Sequence, residues 1–178
     1  GWLVIPNTLE SGWIDLYHVP SQQRIIESLG RQADIRSGTE RPAIVMALQI
    51  CILRDILWIV AGYEDGVLQA WTIPVSTMEP TLVWTHKSHA ESIMALSMSP
   101  TCDSVLSLGA DYNIVRTALH QEAVPHVQRI KRPGHACASV RWDERVCVLG
   151  GWDACARVFT WPSLEPLAKL AYHKDSIY

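Results

Sequence analysis

The feature that most constrains this chain is a pair of short apolar runs joined by a tight turn, a pattern that recurs along the sequence. Its clearest copy spans residues 58–73 and reads WIVAGYEDGVLQAWTI. One apolar run enters a turn over residues 62–66, and an alternating run leaves it with Trp71 near its end. Asp65 and Gly66 tolerate the positive φ angles that tight hairpin turns require. We therefore predict a β-hairpin at this point.

Three further copies of the hairpin keep the same spacing, with the turn six residues before a fixed point on the second strand. The turn positions and their matching strand positions are Ser11 with Tyr17, Asp65 with Trp71, Asp111 with Thr117, and Asp153 with Phe159. Successive turns are separated by 54, 46 and 42 residues. A period of about 40–45 residues with several short strands per unit is typical of β-propeller blades.

Each hairpin is flanked by one apolar run before it and one more exposed run after it, which predicts four strands per unit. The preceding runs occupy residues 43–50, 93–98 and 138–142, and the following runs occupy 81–86, 127–130 and 167–173. Residues 24–41 are polar and contain glycine, so we predict a long loop or insert there. The predicted fold is thus all-β: a WD-repeat β-propeller over residues 1–178, with about four blades here out of about seven in the intact protein.

Composition narrows the function classes. The chain is 48% hydrophobic and 19% charged with a net charge of −3, which suits a folded domain and gives no basic face for direct nucleic-acid binding. It has no apolar run of the ~18–20 residues that span a bilayer. Its five cysteines are odd in number, and we expect free thiols in a reducing compartment, the nucleus and cytoplasm.

The residues after His173 resemble the start of another inner strand, so we expect further blades.

Histidine and aspartate positions predict a structural network. In WD-repeat blades a histidine before the innermost strand bonds the turn aspartate that follows it. His89 precedes Asp111 by 22 residues, and His135 precedes Asp153 by 18. Asp65 has no such histidine upstream, although its hairpin carries Trp71. We assign these six residues to a turn network that stabilises the blades.

Catalysis, metal binding and cofactor binding have little basis in the sequence. His86 and His89 lie three residues apart, but a metal site needs three or four ligands and no further ligand stands at a suitable spacing. No nucleophile elbow and no glycine-rich phosphate loop is present in the sequence. We therefore predict a protein without catalytic residues, metal or cofactor.

Aromatic residues at the hairpin turns are candidates for partner binding. Trp152 occupies the position that Glu64 and Ala110 hold in neighbouring units, and turn residues line one face of a propeller. An aromatic side chain there either packs on the adjacent loop or anchors a partner. Tyr63, Glu64 and Tyr112 are further candidates on the same rim.

Several motifs resemble one family, the ASTRA-associated WD-repeat proteins of fungi and the similar G-protein β-subunit-like WD-repeat protein of animals. They are the 62–66 turn with Trp71, the Gly-Trp-Asp turn at 151–153 with its Arg-Val-Phe strand, and the opening piece from Val4 to Pro20. The resemblance covers nearly the whole chain except residues 24–41. Tyr17, Thr117 and Phe159 depart from the tryptophan that many WD repeats carry at this point.

The resemblance implies a non-catalytic scaffold subunit. Family members associate with the Tel2–Tti1–Tti2 co-chaperone, which matures phosphatidylinositol-3-kinase-related kinases, and with Rvb-type ATPases and the Hsp90 machinery. In fungi they belong to the ASTRA assembly, which is linked to chromatin regulation. The alternative is a WD-repeat adaptor of another complex, such as a chromatin-peptide reader or a ubiquitin-ligase substrate receptor.

Overall fold

A computed structural model describes residues 1–31, 42–120 and 124–178. All of the elements in these ranges are β-strands. They are β1 (Trp2–Pro6), β2 (Ile14–His18), β3 (Gln23–Leu29), β4 (Val45–Leu53), β5 (Ile56–Tyr63), β6 (Val67–Pro74), β7 (Thr81–Lys87), β8 (Ile93–Met98), β9 (Ser104–Gly109), β10 (Asn113–Ala118), β11 (His126–Arg129), β12 (His135–Val140), β13 (Val146–Gly151), β14 (Ala156–Thr160) and β15 (Pro166–Leu170).

The strands form four antiparallel sheets in which neighbours in sequence are neighbours in space. The first sheet has the order β1-β2-β3, and the others have the orders β4-β5-β6-β7, β8-β9-β10-β11 and β12-β13-β14-β15. The first strands of successive four-stranded sheets, β4, β8 and β12, lie next to one another. This arrangement of up-and-down sheets side by side confirms the predicted propeller architecture.

The hydrophobic cores lie between the sheets, one core for each pair of neighbours. On β5, Leu57 and Ile59 face the first core, whereas Trp58 and Val60 face the second. A third core joins the last two sheets and includes Phe159. Side chains alternate across a strand, so a sheet that is covered on both faces needs apolar residues at consecutive positions. The continuous apolar runs of the sequence follow from this double burial.

The hairpin turn between β4 and β5 shows how the chain reverses tightly. Leu53 pairs with Ile56, which leaves a two-residue turn of Arg54 and Asp55 with φ angles of 51° and 60°. Two consecutive positive φ angles are the mark of a type I′ turn, whose twist matches that of the flanking strands. The interruption of the apolar sequence at residues 54–55 is therefore the turn between two strands.

The prediction of a loop over residues 24–41 is wrong for its first part. Residues 24–29 belong to β3, which pairs with β2 and places Leu29 in the first core. The strand lies at the edge of its sheet, where Gln23, Arg24 and Glu27 are exposed, so it lacks the continuous apolar signal of an inner strand. Residues 32–41 lie outside the described residues.

The strand predicted over residues 138–142 is also displaced. The observed strand β12 begins at His135 and ends at Val140, so that Trp142 lies in the turn that follows it.

Across the described residues, no helix has the length and apolar character needed to cross a membrane. All five cysteines are free thiols.

Candidate partner-binding face

The turns predicted to line one face of the propeller are connected to one another by backbone hydrogen bonds. His89 N–H donates to Gly66 O at 3.1 Å, and Ala110 N–H donates to Ser92 O at 3.0 Å. Gly134 N–H then donates to Asp111 O at 3.1 Å, and Trp152 N–H donates to Gly134 O at 3.0 Å. The first and third of these bonds attach a hairpin turn to the connection that enters the next sheet, and the other two attach a turn to the connection that enters its own sheet. We call this surface the turn face.

Two glycines allow this close contact between turns and connections. Gly66 has φ +82°, and an added Cβ would lie 2.2 Å from His89 O. Gly134 also has φ +82°, and an added Cβ would lie 2.1 Å from Trp152 Cε3. Any larger residue at either position would combine an unfavourable backbone conformation with a direct clash.

The predicted contact between His89 and Asp111 is present and buried. His89 Nδ1 lies 3.0 Å from Asp111 Oδ1, and His89 Nε2 lies 2.9 Å from Ser107 Oγ. The carboxylate also accepts the backbone N–H groups of Asn113 at 2.9 Å and Ala90 at 3.0 Å. Burial raises the pKa of Asp111, but these hydrogen bonds and the charge of His89 outweigh it and lower the pKa to about 2. Asp111 therefore stabilises its own turn and the connection before it.

The predicted pairing of His135 with Asp153 is wrong. Asp153 instead forms a two-pronged ion pair with Arg157, at 2.9 Å from Oδ1 to Nη1 and 2.5 Å from Oδ2 to Nη2. The hydrogen bonds from Arg157 lower the pKa of Asp153 to about 2. A guanidinium offers two parallel donors that match both carboxylate oxygens, a geometry that a single imidazole nitrogen cannot provide.

His135 is left fully buried, and neither ring nitrogen has a hydrogen-bond partner among the described residues. Burial first, and the charge of Arg157 second, lower the pKa of His135 to about 4. The histidine is therefore neutral at pH 7. It pairs with Gly151 on the neighbouring strand and does not bond to Asp153.

Replacing Asp153 with alanine is expected to lower the free energy of unfolding by about 1–2 kcal/mol, because Arg157 loses its partner while it stays largely buried. The effect stays moderate because the guanidinium also borders a surface cleft and can reach solvent. Urea unfolding measures the loss. Asp153→Asn, which keeps the shape but not the charge, should recover part of the stability, and an unchanged midpoint for Asp153→Ala would contradict the role of this ion pair.

The turn network is uneven across the sheets. Asp65 is exposed, and its side chain accepts a hydrogen bond from Val67 N–H at 3.0 Å. Trp71 is buried in the first core, and its Nε1 has no partner among the described residues. The corresponding polar group of the first sheet was missed: the buried Asp15 accepts hydrogen bonds from Asn7 Nδ2 at 2.9 Å and Ser28 N–H at 2.9 Å. An isolated aspartate inside an apolar strand is the signal that could have identified it.

Three of the four candidate partner-binding residues are exposed on the turn face. Trp152 is 37% exposed with its ring against Gly134, and Tyr112 is 42% exposed beneath the Arg129 guanidinium at 5.5 Å. Glu64 is exposed and accepts Ile44 N–H at 3.1 Å. These three side chains are accessible to a partner.

Tyr63 is a wrong prediction, since it is only 6% exposed and belongs to the first core. Its hydroxyl donates to Gln69 Oε1 at 2.9 Å. Strand β5 continues through Tyr63, so the turn is shorter than the five residues that the sequence suggests, and strand alternation places the ring on the same side as Ile59.

A tryptophan on the opposite face was missed. Trp142 is 79% exposed in the turn between β12 and β13, at the other end of the strands from Trp152. Glu144 in the same turn accepts hydrogen bonds from Thr101 N–H at 2.9 Å and Oγ1 at 2.6 Å, which joins the last two sheets at that end. The polar residues 143–145 that follow directly are the signal that places this tryptophan in a turn.

Residues that could carry chemistry are dispersed. Among residues 1–31, 42–120 and 124–178, no group of three or more histidine, cysteine or acidic residues could hold a metal ion. Burial raises the pKa of the Cys147 thiol to about 11, so it stays protonated at neutral pH and is a poor nucleophile.

Comparison with known proteins identifies the class first. A crystal structure of the computationally designed Ika8 protein superimposes with a TM-score of 0.67 at 16% identity, over 94% of this chain and 46% of that one, which is a likeness of fold alone. No family model matches the sequence. With its four sheets, shared cores and turn network, the chain is a WD-repeat β-propeller segment.

The chain is a relative of the ASTRA-associated WD-repeat proteins, and the resemblance predicted from its motifs is confirmed. It is 30% identical to ASTRA-associated protein 1 of Verticillium alfalfae, over 99% of this chain and 43% of the relative. It is 25% identical to the protein of that name in Schizosaccharomyces japonicus, over 99% and 53%. It is 27% identical to the mouse guanine nucleotide-binding protein subunit beta-like protein 1, over 99% and 54%. The chain thus spans about half the length of these relatives.

Proposed function

We propose that this chain is part of a non-catalytic scaffold subunit of an ASTRA-type assembly. In this role it binds the Tel2–Tti1–Tti2 proteins, together with Rvb-type ATPases and the Hsp90 machinery, and supports both the maturation of phosphatidylinositol-3-kinase-related kinases and chromatin regulation. It acts in the nucleus and cytoplasm. The observation that carries the proposal is the similarity, over 99% of the chain, to relatives named ASTRA-associated protein 1.

The turn face has physical properties that suit a scaffold. Its turns and connections are tied together by hydrogen bonds of 3.0–3.1 Å, so a partner would meet a preorganised surface and lose little entropy on binding. The charged groups of Asp111 and Asp153 are engaged by His89 and Arg157. Exposed aromatic side chains such as Trp152 provide the large, rigid contact area that binding hot spots use.

Affinity purification of the tagged full-length protein from a low-salt cell lysate tests the proposal. We expect the Tel2–Tti1–Tti2 proteins in the eluate, and we expect Trp152→Ala to lower their recovery at least about tenfold, since an aromatic hot spot that a partner buries contributes about 2 kcal/mol or more. The protein should still fold, because Trp152 is an exposed turn residue.

Trp142→Ala is the matched control, because Trp142 is exposed in a turn at the opposite ends of the strands. The Trp142→Ala variant should recover as much of the Tel2–Tti1–Tti2 proteins as the unmodified protein does. Absence of all three partners from the unmodified eluate would refute the proposed function, and recovery of a ubiquitin ligase or nucleosomes in their place would favour the alternative adaptor role. A loss with Trp142→Ala and not with Trp152→Ala would move the binding surface to the opposite face.

A further inference from the structure

A cleft of about 520 Å³ opens between the outer strands of the last two sheets. One wall is formed by β11 and by Ile130, Lys131 and Arg132 directly after it. The other wall is formed by β14 and β15. Both walls belong to described sheets that already share a core, so the cleft is a feature of the joined blades. We call it the rim cleft. Neither Trp152 nor Tyr112 of the turn face lines it, but Arg129 of its lining lies over the Tyr112 ring.

The rim cleft is strongly cationic in a chain whose net charge is −3. Five of the 15 lysines and arginines of the sequence line it: Arg129, Lys131, Arg132, Arg157 and Lys169. Among the described residues of the lining, none is acidic. The positive charge is therefore concentrated in one place and contrasts with the rest of the surface.

Nearby carboxylates neutralise only one side of the cleft. Asp153 pairs with Arg157 and lies 4.0 Å from Lys169 Nζ. On the opposite wall, Lys131 and Arg132 are exposed, and within the described part of the chain no carboxylate pairs with either. Two cations thus remain available to a ligand.

The floor of the rim cleft is apolar. Phe159 is 2% exposed and packs in the third core with Ile130 beside it, whereas Leu167 on β15 is 56% exposed. A purely ionic site for phosphate would have no use for such a floor, because burying apolar surface is favourable only when the ligand also brings apolar groups. The cleft therefore offers positive charge to acidic groups of a ligand and apolar surface to its apolar groups.

We propose that the rim cleft binds a segment of a partner protein in which acidic and apolar side chains alternate. Carboxylates would pair with Lys131 and Arg132, and the apolar side chains would cover Leu167 and the floor. The volume of about 520 Å³ lies within the range of about 300–1,000 Å³ that ligand pockets occupy, which is room for a few side chains. This inference goes beyond the proposed function and does not depend on it.

Fluorescence anisotropy with the full-length protein and labelled synthetic peptides tests the proposal. The first peptide alternates glutamate with leucine or phenylalanine, the second replaces the apolar residues with serine, and the third replaces glutamate with lysine. We expect the first to bind at least about tenfold more tightly than either of the others, with an affinity that falls as salt is added.

Two variants of the cleft separate its charge from its floor. Lys131→Glu combined with Arg132→Glu should weaken the first peptide at least about tenfold, and Leu167→Ser should weaken it about threefold or more. The matched controls are Arg54→Glu with Arg145→Glu, which makes the same charge change on exposed residues elsewhere, and Leu170→Ser on the same strand, where Leu170 is 52% exposed and outside the cleft. Both controls should bind within about twofold of the unmodified protein.

The proposal is overturned if the serine-containing acidic peptide binds as tightly as the first, since the floor would then have no role. It is equally overturned if a short single-stranded DNA or a phosphopeptide displaces the first peptide at a lower concentration than the unlabelled peptide itself, or if the control variants weaken binding as much as the cleft variants. Thermal unfolding by circular dichroism checks each variant. If the double charge variant does not fold, the comparison of Leu167→Ser with Leu170→Ser decides the result.

Discussion

Replacing Asp111 with alanine is expected to lower the free energy of unfolding by about 3 kcal/mol, the largest loss of stability predicted for a single substitution in this chain. The carboxylate accepts hydrogen bonds from His89 and from the backbone N–H groups of Ala90 and Asn113. Without it, three donors lose their acceptor in a largely buried place, and each unsatisfied donor costs about 1–3 kcal/mol before relaxation or water entry reduces the sum. Urea unfolding followed by tryptophan fluorescence measures the change.

Asp65→Ala is the matched control, because Asp65 holds the equivalent turn position but is exposed and accepts a single backbone hydrogen bond. Its loss should stay below about 1 kcal/mol. Equal losses for the two variants would show that turn geometry, and not the buried network, determines the stability. The pKa of about 2 for Asp111 lies below the value near 3.9 of a free aspartate, so its contribution is complete above pH 4 and is lost as the pH falls toward 2.

His135 is expected to make the protein less stable as the pH falls from about 6.5 to 4. The unfolded chain takes up a proton near pH 6.5, whereas the folded protein resists protonation until about pH 4 because the imidazole is buried beside Arg157. Protons therefore favour the unfolded state within this window. Linkage gives a loss of about 2 kcal/mol at pH 5 relative to pH 7.5.

His135→Leu should remove this dependence, because leucine is close to histidine in volume and does not titrate. At pH 7.5 the variant should lie within about 1 kcal/mol of the unmodified protein, since the lost ring nitrogens have no hydrogen-bond partner among the described residues. At pH 5 it should be more stable than the unmodified protein by about 2 kcal/mol. His173→Gln, a change at an exposed histidine, should keep the original pH profile. Parallel profiles for His135→Leu and the unmodified protein would contradict a buried neutral histidine.

The sequence was sufficient to predict the central hairpin of each sheet because the relevant signals are local. An apolar run, a turn with Asp and Gly, and a second run determine each hairpin, and the interval between hairpins determines the unit. The contact between His89 and Asp111 was also predictable, since it follows from the repeated position of the two residues. Buried inner strands such as β5 gave the strongest signal.

The remaining features depend on which side chains meet in space. Both His135 and Arg157 are available in sequence as partners of Asp153, and the choice follows from strand geometry that spacing does not encode. Tyr63 was misplaced because β5 extends further than the sequence suggests. Strand β3 was missed because it mixes exposed polar residues with the few apolar residues that reach the core. The rim cleft combines residues from three strands and a connection, so its composition becomes visible only in the folded chain.

Each of the three cores formed by the described residues is shared by two neighbouring sheets, so the apolar contacts that stabilise one sheet also stabilise its neighbour. A cavity at Val60, for example, would weaken both sheets that share the second core, and unfolding would pass from one sheet to the next. Limited proteolysis or hydrogen exchange followed over time should show adjacent sheets losing protection together. The cooperative unit of this architecture is then the core between two sheets and not the single sheet.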